Sequence, residues 1–489
     1  MRYIGVYKSA FYIGIVLFLF SLFYLIINEN YEYSIILALS FFTFSAILIS
    51  FRYLLLIISF LTPFSIPLRY FKEEISVDIS LFTEPFLIVM LGILVIKFIM
   101  HSKIDIKLLK HPIIFSMIIM LLWIFVSALN STMPLVSIKY FVAKLWLIIP
   151  VLVYGYVLFT DKKYIAYFIL GQAISLSIVV LLSTLELYST FGLSKNSTHF
   201  AVQPFYDDHT AYGAVLALFI PVVFAYIFIL KDKLTKIGAV IIFLILMLGL
   251  ILSYSRASWL GIVLVLGIFI LIKLRVNFKY LSLVTIFTII VVSFFWFQII
   301  DTLEKNNQDS SSNISSHILS ITNISTDASN VERLNRWYCA LEMFKQKPLF
   351  GYGPGTYQFE YAPFQLKRMR TIISTNFGDV GNAHSEYLGA MAEQGLPGAL
   401  IFIIFAILIL NYCFKIYNRS NNWENRILAL SIGLGFITYF FHGFLNNFLH
   451  TDKLAIPFFG FVAVIIALYN YDAPIKNENG DTLTQKKSE

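Results

Sequence analysis

Runs of apolar residues long enough to cross a lipid bilayer recur from Phe11 almost to Tyr471, and short polar breaks separate them. A membrane-spanning helix needs about 20 predominantly apolar residues, and on this criterion hydropathy predicts about fourteen spans. They lie at roughly 10–27, 34–50, 53–67, 81–100, 112–129, 137–159, 164–186, 211–230, 236–253, 258–273, 280–300, 396–414, 426–446 and 453–469. The pattern predicts an all-α polytopic membrane protein with about 12–14 transmembrane helices.

Composition supports this fold class. Of the 489 residues, 58% are hydrophobic and 13% are charged, and the mean hydropathy is +0.79, which leaves no room for a separate soluble catalytic domain. The first run follows only Arg2 and Lys8 and has no small-residue cleavage site, so we expect a retained helix. Cys339 and Cys413 fall in different parts of the predicted topology, which excludes a disulfide framework.

The distribution of Lys and Arg sets the orientation. Basic residues concentrate in alternate breaks, at 103–110, 161–163, 231–236, 273–279 and 415–426. The positive-inside rule places these breaks in the cytoplasm of a bacterial inner membrane, together with both termini and a tail at 471–489. The net charge of +8 is then explained by helix orientation, and we expect the bilayer rather than nucleic acid as a partner.

Two predicted outer loops are longer than a connection requires, a short one near 187–210 and a large one at 301–395. We expect about eleven transmembrane helices in 1–300, a periplasmic loop domain in 301–395 and about three further transmembrane helices in 396–470.

The large loop is predicted to be mainly helical. After a polar stretch typical of a flexible linker, the pattern predicts a helix over about 330–347, which Pro348 ends. A second helix is expected over about 383–394, with Asn382 as its N-cap and Gly395 as its C-cap.

Three arginines are candidates for binding a diphosphate. Arg333 and Arg336 lie on one face of the first loop helix, where a basic stripe suits a pyrophosphate at the bilayer surface. The alternative is a solvated amphipathic helix that touches anionic lipid. Arg256 lies at an outer membrane end, where an arginine is costly unless it is paired or hydrated, and the alternative there is snorkelling.

His384 is the candidate general base. We expect it in the first turn of the second loop helix, where the positive helix end disfavours imidazolium and leaves a nitrogen able to accept a proton. The alternative is a structural histidine. Glu386 and Glu393 lie on the same helix and are candidates for binding the acceptor or a sugar.

The shorter loop ends in Asp207, Asp208 and His209, just before a span. Two carboxylates and a histidine can hold a divalent cation, but adjacent residues rarely point at one ion. Acceptor or sugar binding and helix capping are the favoured alternatives, and we expect no metal site.

Three motifs resemble those of the bacterial O-antigen ligases and O-antigen polymerases. They are Ser253–Gly261 (SYSRASWLG), Arg336-Trp337 followed by Pro348–Gly355 (PLFGYGPG), and Asn382–Leu388 (NAHSEYL) followed by Glu393–Gly398 (EQGLPG). Their order around the large outer loop is similar as well.

The resemblance implies a fold related to the C-type glycosyltransferases, a polyprenyl-diphosphate-linked glycan donor and catalysis without metal or cofactor. It implies that Arg256 is the family's outer arginine, Arg336 its loop arginine and His384 its essential histidine. Many relatives have a further arginine in the shorter loop, where this chain has Asp207-Asp208-His209. Lys195 or Arg333 can substitute for it.

We therefore expect an inverting glycosyltransferase of O-antigen ligase type, acting in lipopolysaccharide or polysaccharide biosynthesis on a donor such as an undecaprenyl-diphosphate glycan. The acceptor can be a glycolipid, a growing glycan or a protein, which would make the enzyme a ligase, a polymerase or a protein O-oligosaccharyltransferase. The rival from another class is a flippase for lipid-linked oligosaccharides. Transporters tend to show paired repeats and broken helices, whereas this chain concentrates its polar residues in one outer loop.

Overall fold

The structure is a computed structural model that describes residues 51–70, 79–100, 106–192, 197–275, 328–366, 369, 381–471, 475–476 and 482–483. Its α-helices are α1 Phe51–Leu61, α2 Glu84–Ile99, α3 Ile106–Leu109, α4 Pro112–Leu129, α5 Pro134–Leu158, α6 Lys162–Phe191, α7 Thr198–Ala201, α8 His209–Ile229, α9 Lys233–Leu252, α10 Arg256–Lys273, α11 Ala328–Gln346, α12 Tyr357–Glu360, α13 Glu386–Arg419, α14 Trp423–His442 and α15 Asp452–Tyr471. Two short antiparallel pairs join β1 Ile66–Pro67 to β2 Ser80–Leu81 and β3 Ile475–Lys476 to β4 Thr482–Leu483.

The predicted fold class is confirmed. Among the described residues, eight helices are long and apolar enough to cross a membrane: α4, α5, α6, α8, α9, α10, α13 and α15. The predicted span 112–129 coincides with α4, and most of the others agree within a few residues. The spans predicted at 10–27, 34–50 and 280–300 lie outside the described residues.

Two predicted boundaries near the outer loops are wrong. The span expected at 53–67 is helical only to Leu61, and short 3-10 turns and strand β1 follow it. The span expected at 164–186 continues to Phe191, so the shorter loop begins later than residue 187. Gly192, in a left-handed conformation, ends this helix.

Polar residues in the breaks start the helices, since their side chains accept hydrogen bonds from otherwise unsatisfied backbone N–H groups. Asp161 caps α6, Asp208 caps α8, Asp232 caps α9 and Asn422 caps α14. The polar breaks that hydropathy uses to separate spans therefore also fix where each helix begins.

The centre of the bundle is formed by α8 and α15, the most deeply buried of the eight apolar helices. In α15 every residue from Asp452 to Leu468 is buried, and the rings of Phe458 and Phe461 contact Phe436 of α14. By contrast, α9 and α10 bury a small share of their surface within the described chain, as helices that face lipid do.

The basic breaks meet at one end of the bundle. Lys231, between α8 and α9, pairs with Glu424 at the start of α14, with Nζ and Oε1 3.6 Å apart. Lys162, at the start of α6, donates to Oδ1 of Asn425 at 2.9 Å and lies over the ring of Tyr471. The candidate site residues lie at the opposite helix ends. That the basic end is cytoplasmic remains a prediction.

The described part of the large loop is mainly helical, as predicted. The first loop helix, α11, agrees with the expected bounds within two residues, and Pro348 follows it. The second begins at Glu386 rather than 383 and runs into the next span across a kink at Gly395, whose φ is +69° and ψ −172°. Cys339 and Cys413 are buried free thiols, which agrees with the expectation that they do not pair.

Candidate functional site

His384 lies outside the helix, in an irregular segment at 381–385. The prediction that it occupies the first helical turn is wrong, because the N-cap is Ser385, whose Oγ accepts a hydrogen bond from the N–H of Leu388 at 3.3 Å. Asn382, the expected cap, instead accepts a hydrogen bond from the N–H of His384 at 2.9 Å. His384 has a φ of +46°, a left-handed conformation that is uncommon for a residue other than glycine. Such conformations cost free energy and persist where surrounding contacts impose them.

Helix α11 supplies two of those contacts. The indole Nε1 of Trp337 donates to the carbonyl oxygen of His384 at 3.2 Å. On the preceding residue of α11, Nη1 of Arg336 donates to the carbonyl oxygen of Asn382 at 3.1 Å. The two carbonyls belong to the first and last residues of the turn 382–384. Helix α11 therefore fixes the backbone of this turn at both of its ends.

Arg336 is buried and paired. Its Nε donates to Oε1 of Glu332 at 2.7 Å, and the two side chains are 7% and 4% exposed. Its guanidinium also lies 5.2 Å from the centre of the Tyr361 ring, which in turn stacks on Tyr357. The described hydrogen bonds engage two of the five N–H donors of this guanidinium.

The electrostatic surroundings keep His384 neutral. Burial, and then the positive charges of Arg333 and Arg336, lower the pKa of His384 to about 3. Asn446 and the carboxylate of Asp208 act in the opposite direction. Burial and two arginines, rather than a helix end, therefore favour the neutral imidazole that the sequence predicts.

A chain of polar side chains connects His384 to the start of α10. Nδ1 of His384 lies 3.4 Å from Oδ1 of Asn446, and Nδ2 of Asn446 lies 3.0 Å from Nε2 of His442. Nδ1 of His442 lies 3.4 Å from Oγ of Ser258, which is 2.9 Å from Oγ of Ser255.

Arg256, which is half-buried, is the first residue of α10. It lies between Ser255 and Ser258, the last two side chains of that polar chain. The structure thus brings the elements that carry Arg256, Arg336 and His384 to one place.

Asp208 is a helix cap, one of the alternatives predicted for the shorter loop. Its Oδ1 accepts hydrogen bonds from the N–H groups of Thr210 and Ala211 at 2.5 and 2.8 Å. Asp207 is exposed and His209 is half-buried. Among the described residues, no three His, Cys, Asp or Glu side chains converge as ligands of one metal ion.

Glu386 and Glu393 each accept hydrogen bonds from the backbone of another segment. Oε1 of Glu386 accepts hydrogen bonds from the N–H groups of Phe448 and Leu449, both at 2.9 Å, and one from Tyr439 Oη. Oε1 of Glu393 accepts one from the N–H of Tyr357 at 3.0 Å. Both carboxylates therefore shape the site through the backbone, and their predicted role in sugar binding remains a prediction.

A cavity of about 200 Å³ borders the His384 segment. Asn382, Ala383 and Ser385 contribute to its wall, whereas the imidazole of His384 turns to Asn446. Its polar lining includes the side chains of Tyr140, Lys144, Glu386, Glu393 and His450. Lys144 donates from Nζ to the carbonyl oxygen of Leu449 at 3.0 Å and lies near Glu386 and Glu393.

Several residues of the site were not predicted from sequence. Glu332 had a usable signal, since it lies four residues before Arg336 on the same helix face. His442 and Asn446 also had a signal, because they are polar residues at the end of an apolar run, where a buried polar group needs a partner. Which partner they contact is information that local sequence does not contain.

A comparison with known protein families matches the part of the chain that contains the three sequence motifs. Residues 239–403 match the family model described as O-Antigen ligase. That segment contains Arg256, Arg333, Arg336, His384, Glu386 and Glu393. Asp207, Asp208 and His209 lie before it.

An uncharacterized protein of Haemophilus influenzae is 29% identical over 238 residues, which cover 48% of this chain and 57% of the relative. The match thus spans little more than half the length of that curated relative. The resemblance stated from the sequence motifs is confirmed by the family match: residues 239–403, which contain those motifs, are similar to the O-antigen ligase family model.

Proposed function

We propose that the protein is a glycosyltransferase of O-antigen ligase type, which moves glycan from a polyprenyl-diphosphate carrier to an acceptor hydroxyl on the periplasmic face of the bacterial inner membrane. One observation carries the proposal: the neutral imidazole of His384 is held in a left-handed turn by Trp337 and Arg336. The family match over 239–403 supports it, because that segment contains the histidine and all three candidate arginines.

The proposed reaction is a single displacement with inversion at the anomeric carbon. Nε2 of His384 accepts the proton of the acceptor hydroxyl as its oxygen forms a bond to the anomeric carbon. The bond from that carbon to the diphosphate oxygen breaks, and the electron pair leaves with the diphosphate. Arg256, Arg333 and Arg336 would stabilise the departing negative charge.

This mechanism uses no metal ion. A diphosphate is already a good leaving group, so fixed cationic donors and one base suffice. Arg336 is suited to this role because its pairing with Glu332 and its contact with Tyr361 fix the guanidinium before substrate binds.

The acceptor class distinguishes three versions of the proposal: a glycolipid for a ligase, a growing glycan for a polymerase and a protein hydroxyl for an oligosaccharyltransferase. Deleting the gene and identifying which glycan is lost, and from which acceptor, discriminates among them. If the protein were a flippase, deleting the gene would instead leave lipid-linked glycan on the cytoplasmic side, and the transfer reaction itself would be intact.

The test of the mechanism is transfer by purified protein in detergent, with a lipid-linked donor, in the presence and absence of EDTA. A general base contributes about two to four orders of magnitude in rate, so His384→Ala should lose most transfer while remaining folded. EDTA should have no effect, and Asp207→Ala should retain activity. The mechanism is wrong if EDTA abolishes transfer, a divalent ion restores it and His384→Ala is active.

A further inference from the structure

Asn446 and His442 occupy a position that the proposed mechanism does not use. Both are buried, 3% and 1% exposed, and both lie at the end of α14 and the turn that follows it. The turn is fixed against the site, because the N–H of Glu386 donates to the carbonyl oxygen of Gly443 at 2.8 Å. Asn446 therefore faces Nδ1 of His384 with a defined orientation.

We infer that Asn446, oriented by His442 and Ser258, is a positioning residue that holds the proton of His384 on Nδ1 and leaves Nε2 as the base. This inference rests on the proposed function. It adds the group that selects the tautomer and a physical link from the histidine to the helix that carries Arg256.

Donor and acceptor rules give the chain one direction. An amide oxygen can only accept, so Oδ1 of Asn446 requires a proton on Nδ1 of His384. The amide NH₂ can only donate, so Nδ2 of Asn446 requires an unprotonated Nε2 on His442. The proton of neutral His442 is then on Nδ1, where Oγ of Ser258 accepts it.

The distances between these polar groups show which hydrogen bond orients Asn446. The Asn446 to His442 contact, at 3.0 Å, has ordinary hydrogen-bond length, whereas the contacts of His384 with Asn446 and of His442 with Ser258 are both 3.4 Å. His442 therefore fixes the amide of Asn446, and His384 has room to tighten its own bond when substrate binds.

The tautomer is measurable without substrate. Nitrogen-15 NMR of histidine-labelled protein in nanodiscs, with His384 assigned from the spectrum of His384→Gln, should show Nδ1 protonated and Nε2 unprotonated. In Asn446→Leu, which preserves volume but removes the acceptor, His384 should become a mixture of tautomers. A wild-type His384 protonated on Nε2, or an unchanged tautomer in Asn446→Leu, would overturn the inference.

Transfer assays give the second readout. Asn446→Leu should lower kcat about 10- to 100-fold, the loss typical when the partner that orients a functional imidazole is removed, with the KM for the donor little changed. Asn446→Asp should restore most of kcat, because one carboxylate oxygen still accepts from Nδ1 of His384 once His442 moves its proton to Nε2 and donates to the other oxygen.

The aspartate variant also predicts a changed pH profile. The groups that face His384 are Arg333 and Arg336 from α11, Asp208 before α8, and Asn446 with His442 behind it. A new carboxylate among them should raise the pKa of His384 and add an acidic limb that wild type lacks. An unchanged profile would mean that residue 446 does not act on His384, which would refute the inference even where the leucine variant fails to fold.

Ser431→Ala is the matched control, since it removes a buried hydroxyl of α14 that bonds only to the carbonyl of Leu428 among the described contacts. It should keep the wild-type tautomer and kcat. An active His384→Ala would refute the proposed function while leaving the NMR result to decide the inference on its own.

Discussion

Arg336 and Glu332 form a buried ion pair on α11, with Nε and Oε1 2.7 Å apart. The same guanidinium donates to the backbone of Asn382, two residues before His384. Arg336 therefore has a structural contact on one side and the proposed diphosphate on the other, and single substitutions cannot separate the two. Removing one partner of a buried pair leaves an uncompensated charge and costs about 3–5 kcal/mol.

A double substitution separates them. Arg336→Met alone should destabilise the protein strongly, whereas Arg336→Met with Glu332→Leu replaces the pair by apolar side chains and should recover most of the thermal stability. If Arg336 acts on the site, through the diphosphate or through the Asn382 carbonyl, the double variant will fold and remain inactive in transfer. Recovery of both stability and transfer would show that Arg336 is an anchor only.

The site was predictable to the extent that its chemistry is local. His384 and the arginines stand out because polar groups in apolar surroundings need a reason. The conformation of His384 did not follow, since Asn382 and Ser385 are both good N-cap residues and pattern alone cannot choose between them. Packing decides it: Arg336 and Trp337 hold the backbone between the two candidates in a turn.

Helix bounds followed from sequence where a proline marks the break, as at Pro112. They failed where the apolar pattern continued past the helix, as after Leu61. The link from His384 to Asn446 spans 62 residues, and such pairs arise from tertiary packing rather than periodicity.

The pKa of His384 predicts an unusual pH dependence. Burial and two arginines lower it from its ordinary value of 6.5 to about 3, so the folded protein keeps a neutral imidazole between these values. Transfer should therefore not fall through a histidine titration over about pH 5 to 8. A His384-dependent midpoint near 6.5 in kcat/KM would contradict this.

The same shift has a consequence for stability, with a defined sign. Below pH 6.5 the unfolded chain binds a proton at this histidine and the folded protein does not, so folding stability should decrease as the pH falls toward 3. The slope from this one group is at most about 1.4 kcal/mol per pH unit. Thermal unfolding of wild type and His384→Gln across this range isolates the contribution, since the variant lacks it.

Membrane orientation can be tested with two exposed lysines at opposite ends of the bundle. Lys345 of α11 has a side chain 67% exposed, and Lys231 has one 86% exposed. With a membrane-impermeant maleimide on intact spheroplasts, Lys345→Cys should be labelled and Lys231→Cys should react only after permeabilisation. The two native cysteines are buried and should give little background. The reverse labelling pattern would place the candidate site in the cytoplasm.

Gly353 joins the large loop to the membrane bundle and should tolerate no side chain. Its φ is +117°, and an added Cβ would collide with the side chain of Ser131 in the α4–α5 connection. Its N–H donates to the carbonyl oxygen of Glu393 at 2.8 Å, and the adjacent Tyr352 accepts from the N–H of Thr132 at 2.9 Å. The turn therefore holds the first part of α13, before the kink at Gly395, against the connection between α4 and α5.

Gly353→Ala should destabilise the protein by more than the roughly 1–2 kcal/mol that a left-handed conformation costs a residue with a Cβ, because the collision adds to the strain. Adding Ser131→Gly should recover only part of the loss due to the collision, because Ser137 Oγ would still lie 2.6 Å from the added Cβ, and the part due to φ would remain. Gly92→Ala is the control, since a Cβ there meets open space in α2, and it should leave stability unchanged or raise it by up to about 1 kcal/mol. Thermal unfolding in detergent measures all three variants. Equal stability of Gly353→Ala and Gly92→Ala would mean that the backbone at Gly353 rearranges to accept a side chain. The described contacts of His384 with α11 and Asn446 would then be what holds it in position.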